Sequence, residues 1–231
     1  YVIRKALSNS RLLVVKFGGG NKSNIRFVAH VYLPPSIEHY IQESGRAGRD
    51  TLPAISWVCY GLNDFLLRNE YIKNSNLSQT HKKIKVKKLK QSLAFCEGLV
   101  ERDNFLRYYF DESTSIEEKI PFDIRRLQAI AYPMATVLTV MFYTQQNASL
   151  SEVIQILRGS NRFLYHYYNL EQYSIYGRYT YSSISFWRYT ICLMIAADLV
   201  EVSNCGQVLR FTAHSLTFLK KLHQPLLRNN S

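Results

Sequence analysis

One stretch of the chain, residues 25–60, constrains the fold more than any other. Residues 25–31 form a β-branched and aromatic run of strand length, and Leu33-Pro34-Pro35-Ser36 then ends the strand and offers Ser36 as a helix cap. A helix, a glycine-containing turn and a second apolar run at residues 54–60 follow, and we expect that run to be a second, buried strand. Because strand, helix, glycine turn, helix and strand in succession is an α/β pattern, we predict a parallel sheet.

The pattern changes after about residue 72. Apolar positions between residues 82 and 110 recur every three or four residues, which predicts two helices joined near Gly98 as a hairpin. Pro121 is expected to open a further helix, kinked at Pro133, and a tyrosine-rich helix is expected over residues 162–173.

The last third of the chain has the pattern of a winged helix. Helices are expected to begin at Ser149 or Ser151 and at Ser183 or Ser185. Two short strands, 199–202 and 207–212, then bracket a turn, and three helices followed by such a hairpin form a winged helix. We therefore divide the chain into residues 1–72, 73–118 and 119–231.

The charge balance indicates a polyanionic partner. The 231 residues carry 29 Lys and Arg against 17 Asp and Glu, a formal net charge of +12. Six lysines lie within residues 82–90, among them Lys87 and Lys88. Such a run suits phosphates, and it also suits a solvated helix face or a nuclear-import signal, so the run alone does not decide. The longest apolar runs are about half the length that a membrane helix needs, and we expect no membrane partner.

The segment from Gln42 to Asp50 carries the sharpest chemical signal. Arg46 and Arg49, three residues apart, are expected to project from one face of a helical turn, with Gly45 and Gly48 leaving room for a ligand. Two guanidinium groups on one face suit a triphosphate, and an arginine at the γ-phosphate is worth about 10³–10⁵ in rate in nucleotide hydrolases. A glycine-softened turn with two surface arginines is an equally good interpretation of the spacing.

These residues resemble a known family. Gln42 to Asp50 looks like motif VI of superfamily 2 helicases, and with residues 25–30 and 33–40 it resembles the RecQ family. Residues 156–160 (Ile-Leu-Arg-Gly-Ser) and 108–112 (Tyr-Tyr-Phe-Asp-Glu) resemble that family's winged-helix and hairpin signatures. The resemblance implies an α/β remnant of a RecA-like lobe, then a helical hairpin, then a winged-helix (α+β) domain. It also implies that Gln42, Arg46 and Arg49 face ATP and Mg²⁺, with Asn21 of a motif V-like stretch nearby.

The chain also departs from the family pattern. Residues 17–24 lack the expected Met and Pro of motif V, and the cysteines of the family's zinc site are replaced, leaving Cys96. Because a structural zinc needs four ligands, we predict no metal. No phosphate-binding loop and no DEAH-like box occur, so lobe one is missing and the chain alone is expected to be inactive.

Two functions remain in competition. The first is a fragment of an ATP-dependent 3′-to-5′ RecQ-like DNA helicase acting in replication, recombination or repair, nuclear in a eukaryote and otherwise cytoplasmic. The alternative is a non-catalytic winged-helix DNA-binding protein with a vestigial lobe. Both bind forked DNA or single-strand/duplex junctions, and the expected contacts are Arg158, Ser160, Ser185, Arg188, Asn204, Cys205, Arg210, Lys87 and Lys88. Seven tyrosines allow two interpretations, either surfaces on which bases stack or half-buried core residues: Tyr165, Tyr167, Tyr168, Tyr173, Tyr176, Tyr179 and Tyr181.

Overall fold

The computed structural model describes residues 12–16, 25–110, 129–203 and 208–228. The chain divides into two compact units, Tyr1–Cys96 and Glu97–Ser231, which are described separately. The division falls inside residues 73–118, the stretch predicted as a helical hairpin. The three-part domain division stays a prediction.

A three-stranded sheet forms the centre of the first unit. Its strands are β1 (Leu12–Lys16), β2 (Ile25–His30) and β3 (Ile55–Val58), in the order β1-β2-β3. Strand β2 pairs in parallel with β3, with Phe27 opposite Ile55, which confirms the predicted parallel pairing. Strand β1 pairs with β2 in the antiparallel direction, so the sheet is mixed.

Helix α1 (Ile37–Ser44) connects the two parallel strands. It begins where the sequence predicts, since the Ser36 hydroxyl accepts a hydrogen bond from the His39 amide at 3.4 Å. Ile37, the first residue of the helix, is fully buried. The helix leads directly from β2 into the segment that carries the two arginines.

Strand β3 differs from the prediction of a buried strand. Ile55 is 64% exposed and Trp57 is 50% exposed, so one face of the strand is open to solvent. A continuous apolar run is typical of a strand that is covered on both faces, and for this reason the sequence predicts burial. Among the described residues β3 has a strand neighbour on one side only, and these two side chains remain uncovered.

Two helices complete the first unit. Helix α2 (Leu62–Asn74) packs against helix α3 (Gln79–Cys96) and buries Phe65 and Ile72. The C-terminal half of α3 is buried through Leu89 and Leu93. Its N-terminal half, which carries Lys82, Lys83, Lys85 and Lys87 of the lysine run, is largely exposed.

The second unit is mainly helical. Its elements in chain order are α4 (Arg102–Phe110), α5 (Ala131–Tyr143), α6 (Leu150–Arg158), α7 (Arg162–Tyr167), a 3-10 turn (Leu170–Gln172), α8 (Ile184–Ala196), β4 (Val200–Val202), β5 (Leu209–Phe211) and α9 (Ala213–Arg228). The core lies between α5, α6 and α8, where Trp187 is fully buried.

The winged-helix order is present. Helices α5, α6 and α8 precede an antiparallel hairpin in which Val200 lies opposite Phe211, and a bridge between Ser149 and Val208 adds to its edge. Ser149 and Glu152 form a capping box at α6, which settles the first pair of predicted caps. Ser183 caps α8, which settles the second. The residues of the predicted hairpin turn, 204–207, lie outside the described residues.

The structure changes two helix predictions in this unit. Pro133 lies in the first turn of α5, which begins at Ala131, so its missing amide hydrogen is not needed there. The predicted helix start at Pro121 lies outside the described residues. The tyrosine-rich helix ends at Tyr167 instead of residue 173, because Asn169 adopts a left-handed conformation and a 3-10 turn follows.

Candidate functional site

The segment of residues 45–50, here called the arginine turn, begins where α1 ends. The Gly45 amide donates to the Ile41 carbonyl at 2.8 Å, and the Ala47 amide donates to the Ser44 carbonyl at 3.0 Å. Gly48 then adopts a φ of +65°, which breaks any helical continuation. The prediction that Arg46 and Arg49 lie on one helical turn is therefore wrong, although both follow the same helix end.

Two contacts fasten the arginine turn to strand β2. The Gly48 amide donates to the Ile25 carbonyl at 3.0 Å. Asp50 forms an ion pair with Arg26, and the hydrogen bond from Arg26 lowers the pKa of Asp50. A β-carbon on Gly48 would lie 3.1 Å from the Leu52 carbonyl oxygen. Both this close approach and the positive φ therefore favour glycine at position 48.

The side chains predicted to meet ATP are open to solvent. Gln42, Arg46 and Arg49 are all exposed. Arg49 donates from Nε to the Gly45 carbonyl at 3.1 Å, which fixes the base of its guanidinium group. Within the part of the chain that the structure describes, neither arginine forms an ion pair with a carboxylate. Both remain available to an anion, while Asn21 lies outside the described residues.

A buried histidine, which the sequence does not single out, holds the end of α1 against the sheet. His30 at the end of β2 is 1% exposed, and its Nδ1 lies 2.9 Å from Oε2 of Glu43. Burial lowers the pKa of His30 and the Glu43 carboxylate opposes that shift, so the neutral ring donates from Nδ1 to the carboxylate. The only sequence signal is a polar residue at the end of an apolar strand.

Tyr40 continues this contact into the rest of the first unit. Its ring centroid lies 5.3 Å from that of His30 and 5.3 Å from that of Phe95 on α3. Tyr40 of α1 is thus packed between His30 of β2 and Phe95 of α3. The helix that leads into the arginine turn is therefore held in place by contacts with β2 and α3.

Some lysines of the run form contacts within the protein, whereas others are exposed to solvent. Lys88 pairs with Glu38 of α1, and Lys82 donates from Nζ to the Lys73 carbonyl at 2.7 Å. Lys83, Lys85 and Lys87 are exposed. Of the two lysines predicted to contact DNA, Lys87 is accessible, whereas Lys88 already has a carboxylate partner.

In the second unit, Arg158 acts inside the fold. Its Nε donates to the Ser182 carbonyl at 3.0 Å, which ties the end of α6 to the segment before α8. Gly159 and Gly177 lie beside this bond with φ of +63° and +66°, and a β-carbon on Gly159 would lie 2.8 Å from Gly177 Cα. Here the backbones meet without side chains between them.

The other predicted DNA contacts differ in exposure. Ser160, Ser185 and Arg210 are exposed, and Arg188 is half-buried. Ser185 lies in the first turn of α8, and Arg210 lies on β5 opposite Glu201. Asn204 and Cys205 lie outside the described residues.

The aromatic side chains are mostly half-buried, with clear exceptions. Tyr167 and Tyr181 are exposed, whereas Tyr165, Tyr168, Tyr173, Tyr176 and Tyr179 are half-buried. Phe163, which the sequence did not single out, is 69% exposed and its ring lies 5.6 Å from that of Tyr167. Their spacing of four residues on a helix was the available signal.

The described ranges contain neither a cluster of metal-binding side chains nor a membrane-spanning helix. No group of three or more His, Cys, Asp or Glu side chains there could hold a metal ion. No helix in those ranges is long and apolar enough to cross a membrane.

Comparison with known proteins identifies the family. A family model described as the RQC domain matches residues 127–230. The ATP-dependent DNA helicase RecQ of Pasteurella multocida is 32% identical over 218 residues, which are 92% of this chain and 34% of that protein. This chain is a member of the RecQ family.

Other RecQ relatives agree. The ATP-dependent DNA helicase RecQ of Bacillus subtilis is 28% identical over 198 residues, 81% of this chain and 32% of the relative. The RecQ-like DNA helicase blm-1 of Caenorhabditis elegans is 32% identical over 161 residues, 63% of this chain and 16% of the relative. This RecQ-family chain thus spans about a third or less of the length of these relatives.

Proposed function

We propose that this chain forms part of an ATP-dependent 3′-to-5′ DNA helicase and that its first unit is the end of a RecA-like lobe two. The observation that carries the proposal is the arginine turn. Its two exposed guanidinium groups have no carboxylate partner among the described residues, and they follow a helix end that His30 and Glu43 hold in place. Surface arginines without a specific role would not need a helix end held in place by the contact between His30 and Glu43. Fixed positive charge is what transition-state stabilisation at a phosphate requires.

Catalysis in this proposal needs a second lobe. The sequence has no phosphate-binding loop and no acidic box for Mg²⁺, so ATP and Mg²⁺ are held by a lobe that these 231 residues do not contain. Arg46 and Arg49 then approach the terminal phosphate from this chain, and Gln42 from the last turns of α1 contacts the nucleotide. The chain alone is inactive, and it holds no zinc.

The second unit supplies the DNA contacts in this proposal. Ser160, Ser185, Arg188 and Arg210 contact phosphates of a forked or partly single-stranded duplex, and Lys87 of the first unit adds a further cation. Arg158 positions the end of α6 through its bond to Ser182 instead of binding phosphate directly. Family membership further supports roles in replication, recombination or repair, in the nucleus of a eukaryote or the cytoplasm of a bacterium.

The test is ATP hydrolysis by a protein that contains both lobes. The ATP-binding lobe is supplied in trans or in a continuous reading frame, and DNA-stimulated ATPase activity is measured with Arg49→Ala. We expect a loss of about 10³-fold or more. Arg107→Ala removes an exposed arginine of α4 and serves as the matched control. Unchanged hydrolysis in Arg49→Ala would show that this arginine does not act at the phosphate.

A non-catalytic DNA-binding protein is the second candidate. Its supporting observation is that the RQC match covers residues 127–230, whose unit has its own buried core and capped helices. It predicts forked-DNA binding by the chain together with no DNA-stimulated hydrolysis when the second lobe is restored. The same ATPase measurement therefore separates the two candidates.

A further inference from the structure

A cavity of about 690 Å³ opens on the second unit among α7, the 3-10 turn and the segment that follows it. Three tyrosines and three polar residues line it: Tyr165, Tyr173, Tyr176, Arg162, Glu171 and Ser174. Its volume lies in the range of sites that hold small organic molecules. None of the residues proposed above to contact phosphates lines this cavity.

The aromatic walls are held in place by neighbours. Tyr173 stacks on Tyr143 of α5, with ring centroids 3.8 Å apart and ring planes inclined by 19°. Tyr165 and Tyr176 pack against each other at 4.9 Å, and the Tyr165 hydroxyl donates to the Glu171 carbonyl at 3.4 Å. Rings fixed in this way offer a flat planar ligand a surface that needs little ordering when it binds.

The polar residues give the cavity charges of both signs. Arg162 is exposed and, within the described part of the chain, has no carboxylate partner. Oε1 of Glu171 lies 2.8 Å from Nδ1 of His166. A hydrogen bond from its own backbone amide, followed by the bond to His166, lowers the pKa of Glu171, so the group is ionised at neutral pH. A carboxylate accepts about four hydrogen bonds, which leaves capacity for a ligand.

This combination matches the parts of one nucleotide. Tyrosine rings stack on a base of any kind, an arginine binds a phosphate, and a carboxylate accepts from N–H groups of a base edge. Guanine is the base whose Watson–Crick edge presents two adjacent N–H donors, at N1 and N2, to one carboxylate. The other bases place an acceptor beside each donor on that edge, which faces a carboxylate unfavourably.

We propose that the cavity holds a single unpaired guanine nucleotide of the bound DNA, with the base among the tyrosines, Glu171 accepting from N1–H and N2–H, and Arg162 contacting the phosphate. The proposal rests on the DNA binding proposed above and adds a position where one unpaired base is read. It assigns Glu171 the choice of base. It assigns Arg162 and the tyrosines affinity that does not depend on the base.

The test uses the whole chain and four duplexes that differ in one unpaired terminal nucleotide, G, A, C or T, with a fully paired duplex as reference. Fluorescence anisotropy is expected to show about tenfold tighter binding of the guanine form. Glu171→Gln keeps a hydrogen bond to His166 and is expected to abolish that preference. Asp103→Asn removes an exposed carboxylate elsewhere in the same unit and should leave the preference intact. Arg162→Ala should weaken all four forms alike.

Equal affinity of the wild-type chain for the four duplexes would overturn the proposal, and so would a guanine preference that survives Glu171→Gln. Binding of free GMP and AMP, followed by ligand-observed NMR, separates this failure from a failure of DNA binding. If no duplex binds but GMP binds more tightly than AMP and Glu171→Gln removes the difference, the cavity assignment holds and the DNA-binding proposal fails. If the duplexes bind, but GMP binds no better than AMP and the guanine form no better than the other three forms, the DNA-binding proposal holds and the cavity assignment fails.

Discussion

The contact between Gly159 and Gly177 allows a quantitative test of how the second unit is held together. Both glycines have positive φ, so alanine at either position costs about 1–2 kcal/mol for the left-handed backbone. A β-carbon on Gly159 would also lie 2.8 Å from Gly177 Cα, whereas one on Gly177 would lie 3.4 Å from Gly159 Cα, an ordinary contact. Relieving the first contact requires a backbone shift, at about 1–3 kcal/mol more.

Gly159→Ala is therefore expected to lower the free energy of unfolding of the second unit by about 2–5 kcal/mol, and Gly177→Ala by about 1–2 kcal/mol. The chain has two tryptophans, and Trp187 is buried in the second unit, so Trp57→Phe leaves a single reporter of that unit. Urea unfolding is then followed by the fluorescence of Trp187. With a urea m-value of about 1–3 kcal/mol per M, the Gly159→Ala midpoint should fall by on the order of 2 M.

The comparison of the two variants makes the test sharp, because both share the backbone cost and differ in the contact. Equal midpoints for Gly159→Ala and Gly177→Ala would refute the close approach of the two backbones. A smaller shift for Gly159→Ala would refute it as well. The Trp57→Phe chain without a further change gives the reference midpoint.

Three further predictions concern charge. Burial depresses the pKa of His30 below 6.5, so protonation of this residue should not destabilise the first unit above pH 6.5 and should lower its stability as pH falls below that value. Glu43→Gln removes the opposing carboxylate and should lower the pKa of His30 further, which NMR titration measures. The pKa of Asp50, lowered by Arg26, should return toward its ordinary value in Arg26→Ala, and a pKa that does not move would disprove the pairing. Binding of the chain to forked DNA should fall linearly in log affinity against log salt, and Arg210→Ala should reduce the slope by about 1; a slope equal to wild type would remove Arg210 from the phosphate contacts.

Local sequence signals predicted much of the fold. The proline stop and the cap at Ser36, the parallel pairing of β2 with β3, and the β4–β5 hairpin all depend on residues close together in the chain. Pattern-based prediction failed where one residue's backbone conformation overrides a helical pattern. Gly48 ends the helical turn that was expected to carry both arginines, and Asn169 ends the tyrosine-rich helix.

Parts of the candidate site needed the structure because they depend on pairs distant in sequence. His30 finds Glu43 thirteen residues later, Lys88 finds Glu38 fifty residues earlier, and neither pairing follows from periodicity. The cavity around Glu171 is similar, since Tyr143 supports its wall from another helix. The exposure of β3 could not be foreseen either, because an apolar run specifies a preference for burial without supplying a covering element.

The uncovered face of β3 has a practical consequence for handling the protein. In the part of the chain that the structure describes, β3 has one edge without a strand neighbour, and Ile55 and Trp57 are exposed on this strand. Such an edge is a template on which another chain can add a strand, and such edges lead to aggregation. Preparations of this polypeptide will therefore tend to precipitate as concentration rises. A lysine in place of Trp57 supplies a charge of the kind that natural edge strands use to prevent aggregation. Trp57 lies outside the arginine turn and is not among the residues proposed to contact DNA.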